Sequence, residues 1–483
     1  MSVSLRQLIV LLVLSCPSFE ALDEKGVRGM MDLERDLLKG LRDYAEKLQE
    51  KISLINSSLE EYTEEIEEAK QDPEEYLSNP LNAFRLIRHM HQDWASWQVY
   101  MEEQVGVEQI AKMERLLPQI PQKGHFKKAA RNVDALARFY DYKPSELVAK
   151  NELTSALHLS PLDCYHLGLE LYGEHDYLGA AKWLEVAAQN YTLSKYSDLY
   201  ETLGAPRWQV YRDWARTLSK LNRGGVLDVY ATALLLTSQY QNVHLLHEVS
   251  QFELLSLRDP MDPILDPEPH TSALEHRCRG KAPPREEGML CENNDWVTPF
   301  LVLAPLKYEM LVRHPFTIFY PDSIFESEIE HVEKAHEGCP KRSRFELTEG
   351  ISGCSISDGF SPVFQRIKER VLDMTGMNEA FKSFYVVEYS QTRPFELFKL
   401  FRNSSKFPKL NAKDLEDVEA TAIIFLKDLT LGGAITKPQK DLLVQPKRGS
   451  VLITLKDTEL DTTVCPNIAD SGLVMIKFLL KPE

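Results

Sequence analysis

The stretch Ala420–Leu426, ATAIIFL, holds seven residues with no charge, proline or glycine, and it reads as a short buried β-strand. Four more runs of this kind surround it: FTIFY at Phe316–Tyr320, FYVVEY at Phe384–Tyr389, SVLITL at Ser450–Leu455 and LVMIKFL at Leu473–Leu479. Turns separate the runs. Helical stretches, Ser327–Lys334 and Pro362–Met374, lie between the early ones. That order predicts an antiparallel sandwich or jelly roll over residues 313–483, with helices packed outside.

Upstream of the strands the pattern changes to helix. From Asp259 to Asn294 the composition shifts to Pro, Arg, Glu and Gly, marking a linker that we carry to residue 312. Residues 151–258 read as paired helices. In Cys164–Ala187, small residues (Gly168, Ala180, Ala187) alternate with Leu167, Leu171 and Leu184, so two antiparallel helices can approach closely, as in a tetratricopeptide-type pair. A second pair, Trp208–Leu221 and Leu227–Tyr240, turns at Gly224-Gly225. Tyr211 and Trp214 stand three apart and share a helix face, where they would stack on an extended proline-rich peptide; the alternative is that they are core aromatics. Over residues 22–150 the dominant feature is an apolar seam at Leu38, Leu41, Ala45, Leu48, Ile52, Ile55, Leu59, Tyr62 and Ile66. Its spacings of three and four predict either a coiled coil that pairs with a second copy or a helix packed in its own bundle. The fold class is α + β multidomain.

At 483 residues the chain has room for about three domains. A net charge of -17 argues against nucleic acid, because phosphate binding needs a basic surface. Arg6, the apolar run Leu8–Leu14 and the small residues to Ala21 have the layout of a signal peptide over 1–21, with no later membrane span, so an oxidising compartment is expected. Sequons at Asn56, Asn190 and Asn403 are compatible with that route. Of seven cysteines, Cys278 and Cys291 are close in sequence and are the first choice for a disulfide, with Cys339–Cys354 as a second.

Taken in order, these blocks resemble the α subunits of animal prolyl 4-hydroxylases. The resemblance rests on Tyr76–Phe84 (YLSNPLNAF) with Asp93-Trp94, and on Leu162-Asp163-Cys164, Leu167-Gly168 and Asp176-Tyr177. It continues through Cys278-Arg279-Gly280, Leu303–Lys307, Thr375-Gly376, Gly432-Gly433-Ala434, Pro446–Gly449 and Cys465-Pro466. It implies a dimerising N-terminal domain, a peptide-binding helical domain and a double-stranded β-helix dioxygenase domain using Fe(II), 2-oxoglutarate and ascorbate. It also implies pairing with protein disulfide isomerase as β subunit in the endoplasmic reticulum lumen.

The chemistry departs from that pattern. Iron in such a site needs two histidines and a carboxylate. The family's His-x-Asp pair falls on Phe398 and Leu400, its distal histidine on Thr462, and its 2-oxoglutarate lysine on Gly472. Independently of any alignment, no histidine follows His336. In the helical domain Tyr211 and Trp214 match groove aromatics of the family, while His244, Glu248 and Gln251 stand where it has Arg, Asn and Tyr. The expectation is a catalytically inactive binding or assembly subunit with no metal and no cofactor, resident in the lumen or secreted, since the chain finishes on Lys481-Pro482-Glu483. The alternative is an active procollagen-proline 4-dioxygenase with an unconventional iron site.

Overall fold

The computed structural model describes residues 24–148, 158–237, 239–258, 264, 271–280, 291–314, 316–348, 350–403, 417–437, 442–455, 462–468 and 470–481. The signal peptide expected over 1–21 lies outside the described residues. Two compact units meet in sequence at His125 and Phe126.

The first unit is helical. Helix α1 (Glu24–Gln71) extends the apolar seam at both ends, and Asp72 caps the following turn by accepting from the Glu75 N–H at 3.0 Å. Then come α2 (Pro80–Arg88), α3 (Trp94–Glu102) and α4 (Val107–Leu116). The helical stretch expected from Asn82 past Trp94 is interrupted by one wide turn, His89–Asp93, in which the Trp94 N–H donates to the His89 carbonyl. That extra residue tucks His89 against α1: its ring lies 4.9 Å from that of Tyr62, and its Nδ1 lies 3.3 Å from Glu65. Much of the seam of α1 faces solvent, with Leu41, Ile52 and Leu59 each about half exposed.

The second unit takes in α5 (Lys123–Tyr140) from Phe126 onward, then α6 (Pro161–Gly173), α7 (Tyr177–Asn190), α8 (Arg207–Lys220), α9 (Val226–Leu236) and α10 (Gln239–Arg258). Ser160 and Asp163 form a reciprocal cap that starts α6. The small residues do what their spacing predicts: a Cβ on Gly168 would sit 2.6 Å from Leu184 Cγ, so the α6–α7 crossing requires glycine. Helix α9 ends at Leu236 rather than running on to Tyr240, because Thr237 is extended and the chain restarts at Gln239 as α10.

The strands are β1 (Cys291–Asn294), β2 (Leu306–Arg313), β3 (Phe316–Tyr320), β4 (Arg344–Thr348), β5 (Ile351–Ser357), β6 (Asn378–Glu379) and β7 (Ser383–Tyr389). They continue with β8 (Phe395–Glu396), β9 (Ala420–Phe425), β10 (Ile435–Lys437), β11 (Leu442–Val444), β12 (Val451–Leu455), β13 (Thr463–Val464) and β14 (Gly472–Leu480). The large sheet runs β1-β2-β3-β12-β9-β14-β7-β5-β4, with β6 on β14; the small one runs β11-β10-β13-β8. The named pairings in both are antiparallel.

Side chains alternate across the large sheet, and both faces are buried. Ala422, Ile424 and Met475 lie in a core shared with α12 (Glu326–Glu337) and α13 (Pro362–Thr375), through Ile329, Val332, Phe364 and Ile367. Ile423, Phe425, Val474 and Ile476 lie in a second core with Ile435, Val444 and Val464 of the small sheet. Burial on both faces explains why ATAIIFL shows no polar alternation.

Cysteine pairing differs from the first expectation. Cys278 bonds Cys465, not Cys291, while Cys339–Cys354 forms as the second expectation has it. The reason is tertiary. Helix α11 (Ala273–Cys278) packs on β10 and β11, and Cys465 is held beside β10 by donating its N–H to the Ala434 carbonyl at 2.8 Å. The two Cα atoms lie 5.8 Å apart, within disulfide range. Cys291 opens edge strand β1 and is exposed with a free thiol. Peptide mapping without reduction is expected to recover a Cys278–Cys465 crosslink and an alkylatable Cys291. Cys465→Ser is expected to cost about 2–5 kcal/mol, as for removal of a native bond. Recovery of a Cys278–Cys291 peptide would overturn the pairing.

Candidate functional site

The first candidate lies between the two sheets. Strand β8 pairs with β13 through Phe395–Val464 and Glu396–Thr463, and the Leu397 N–H donates to the Thr462 carbonyl at 3.1 Å. Residues 65 apart in sequence are thereby neighbours, so the segment around Phe398 does sit beside Thr462. The chain does not stay extended there. It turns into α14 (Leu397–Asn403), and this changes which side chains face inward. On a strand Phe398 and Leu400 would share a face; on a helix the inward pair is spaced by four. Leu397 and Phe401 are accordingly buried, while Phe398 and Leu400 flank them half-buried.

An aromatic cluster fills the interior behind them. Phe478, 1% exposed, lies 5.5 Å from Phe401, 5.6 Å from Tyr385, 5.9 Å from Phe381 and 6.1 Å from Phe398, ring centre to ring centre. At Gly472 the missing side chain is replaced by a neighbour. A Cβ there would lie 2.1 Å from Tyr389 Cζ, so the Tyr389 ring covers the position. Its hydroxyl donates to the Gly433 carbonyl at 3.2 Å, and burial pushes the phenol pKa up, keeping it neutral.

Those donors do not fit an iron. Phe398 and Leu400 carry no lone pair, and Thr462 offers one buried hydroxyl. Three carboxylates of the β domain that could stand in as ligands are each engaged elsewhere: Asp428 accepts from the Arg448 N–H at 2.7 Å, Glu396 pairs with Lys399 at 3.0 Å, and Glu388 accepts from Ser471 at 3.1 Å. Among the described residues no group of three His, Cys, Asp or Glu is placed to hold a metal.

The second candidate is the helical repeat. Tyr211 and Trp214 lie edge to face, 6.2 Å apart, and are half-buried. They touch the cores on both sides of α8, and the Tyr211 hydroxyl donates to the Ala188 carbonyl at 3.3 Å. The Trp214 indole N–H is buried with no acceptor among the described residues. Beside them runs a polar ladder that sequence reading did not single out. Tyr165 donates to Asp213 at 2.8 Å, Asp213 accepts from Arg212 at 2.9 Å and Arg216 at 3.2 Å, and Arg216 reaches Glu248 of α10 at 2.9 Å. The i, i+3 spacing of Asp213 and Arg216 was the available signal. Of the three altered positions, Glu248 therefore joins the ladder. His244 and Gln251 stay exposed, Gln251 on the His247 ring at 3.0 Å. No helix among the described residues is long and apolar enough to cross a membrane.

Residues 24–153 match the family described as the prolyl 4-hydroxylase alpha-subunit, N-terminal region. Prolyl 4-hydroxylase subunit alpha-1 of Homo sapiens is 24% identical over 470 residues, covering 88% of this chain and 85% of that one. Subunit alpha-2 of Gallus gallus is 22% identical over 459 residues, covering 87% and 84%. Among solved structures, the viral collagen prolyl hydroxylase of Paramecium bursaria Chlorella virus-1 in its 2OG complex matches with a TM-score of 0.25 and 13% identity, covering 34% of this chain and 96% of that one. Over most of its length the chain is thus similar to prolyl 4-hydroxylase α subunits, and its residues 24–153 match the N-terminal region of that family.

Proposed function

We propose that this chain is a catalytically silent α-subunit-like protein of the secretory pathway, which binds proline-rich or procollagen-like peptides as an assembly or accessory subunit. The observation that carries the reading is the interior of the β domain. The positions that family chemistry assigns to iron and 2-oxoglutarate are Phe398, Leu400, Thr462 and Gly472: Phe398 packs beside Phe478, Leu400 lies against the same core, Thr462 is buried and Gly472 is covered by Tyr389. Apolar side chains that fill a site exclude a hydrated ion on cost alone, since an unpaired charge in such surroundings is strongly disfavoured. The two sheets are read as a double-stranded β-helix and the α6–α10 helices as tetratricopeptide-like pairs. The relatives are named as α subunits, which supports a β-subunit partner. Protein disulfide isomerase is the candidate by resemblance, and the open seam of α1 is suited to pairing with a second copy. The endoplasmic reticulum lumen is the proposed location, with secretion when no partner retains the chain.

Tyr211, Trp214 and the unsatisfied indole N–H support peptide binding, because a peptide carbonyl would supply the missing acceptor. The test uses the full chain, purified and exposed to Fe(II), 2-oxoglutarate and a Pro-Pro-Gly peptide. The expected result is no stoichiometric iron and no succinate, together with saturable polyproline binding weakened by Tyr211→Ala. Iron with turnover would establish the active-dioxygenase reading instead. Absence of any saturable peptide binding would reduce the protein to a scaffold.

A further inference from the structure

The first unit holds a cleft of about 410 Å³ whose lining residues come from α1, from the end of α2 and the wide turn after it, and from α3. We propose that this cleft is a binding site for a cationic side chain, arginine or lysine, presented by a peptide. Its chemistry is independent of the β domain and of the proline-rich-peptide reading.

Three aromatic rings line it. Trp97 and Tyr100 stand nearly perpendicular, at 80° with centres 5.6 Å apart, and form two sides of a corner. Tyr62 on α1 lines the cleft with them, and its hydroxyl joins the two walls by accepting from the Trp97 indole N–H at 3.2 Å and donating to Asp93 at 3.2 Å. The wide turn sets this register. One extra residue between α2 and α3 carries Asp93 to α1 and places Trp97 beside Tyr62. A corner of electron-rich faces attracts a cation. The chain already uses one of these rings in that way: the Lys51 ammonium sits 5.0 Å over the Tyr100 ring while donating to the Glu103 carbonyl at 2.7 Å.

Charge selects a cation over a neutral ligand. Arg88 and Asp93 both line the cleft and satisfy each other at 3.1 Å. Glu61 also lines it, is exposed, and forms no ion pair with a described residue. The surrounding stretch of α1 holds Glu60, Glu61, Glu64, Glu65, Glu67 and Glu68 with no basic residue among them. Rings give shape and desolvation, and the unpaired carboxylate gives sign.

The experiment uses the full chain labelled with 5-fluorotryptophan, with the Trp97 fluorine resonance assigned through Trp97→Phe. Probes are acetylated, amidated pentapeptides of glycine and serine carrying one central arginine, lysine, glutamine or proline. Saturable displacement of the Trp97 resonance is expected with the arginine or lysine peptide and none with the others. Glu61→Gln, an exposed change, and Tyr100→Leu are each expected to weaken binding by about fivefold or more. An equal response to the glutamine or proline peptide, or unchanged affinity in Glu61→Gln, would overturn the proposal. So would a Trp97 shift that depends on protein concentration alone, which would assign the cleft to a second copy.

Discussion

Replacing Phe478 with alanine is expected to lower the unfolding free energy by about 3–5 kcal/mol, the range for truncating a buried aromatic. Phe478 is 1% exposed and meets Phe381, Tyr385, Phe398 and Phe401 within 6.1 Å, ring centre to ring centre. Each of those rings loses an edge-to-face or tilted partner, and a close-packed interior relaxes only partly into the gap. Denaturant titration of the full chain reads this as a lower midpoint for the β domain at an unchanged slope. Phe398→Ala is expected to cost less, because Phe398 is half-buried and flanks the cluster. The pair distinguishes a packed interior from a retained ligand slot. A loss below about 1 kcal/mol for Phe478→Ala, far under the range for a packed aromatic, would mean that the interior is loosely filled and that the silent-subunit reading has lost its physical basis.

The second large effect is expected at Lys477. This residue is fully buried on β14, on the helix-covered side of the large sheet. Its ammonium donates to Asp358 at 2.7 Å, to Glu379 at 3.0 Å and to the Phe381 carbonyl at 2.6 Å, and it lies 4.8 Å from the Phe384 ring centre. Lys477→Met leaves two carboxylates facing each other with no cation, and removing one partner of a buried pair costs about 3–5 kcal/mol. Adding Asp358→Asn should recover part of that loss.

The same cluster gives the β domain an unusual pH response. Burial first, and then the hydrogen bond shared with Glu379, push the Asp358 carboxyl up to about 6, against the pull of Lys477. For Glu379 burial acts upward, but Asp358 and Lys477 outweigh it and hold that group below its ordinary value. A carboxyl whose folded pKa is raised takes up its proton more readily in the folded state, so its contribution to stability grows as pH falls through 6 and levels off near its unfolded value of about 4. Glu379 works oppositely, and its contribution is lost only as pH drops below the ordinary glutamate range. Between roughly pH 7 and 5 the Asp358 effect dominates, so the midpoint should rise on acidification and the rise should vanish in Asp358→Asn. A profile that falls monotonically in the parent chain would show that the proton sits elsewhere.

Much of this was legible from the residues alone. The strand runs around ATAIIFL, the helix pairing enabled by Gly168, and the loss of imidazole after His336 are local facts, because side-chain alternation, helical spacing and ligand chemistry need no knowledge of distant chain. The Cys339–Cys354 bond spans only 15 residues and was visible for that reason. What the residues could not decide were contacts between segments far apart in sequence. Cys278 finds Cys465 across 187 residues because α11 docks on the small sheet. Phe401 is the fully buried ring and Phe398 flanks it half-buried, because the chain coils into α14 after β8 and shifts the inward period from two to four. Lys477, a lone charge inside an apolar run, is tolerated only because Asp358 and Glu379 arrive from two other elements to meet it. Pattern specifies which surface a side chain prefers, whereas its partner depends on the closure of the whole chain, which no local window contains.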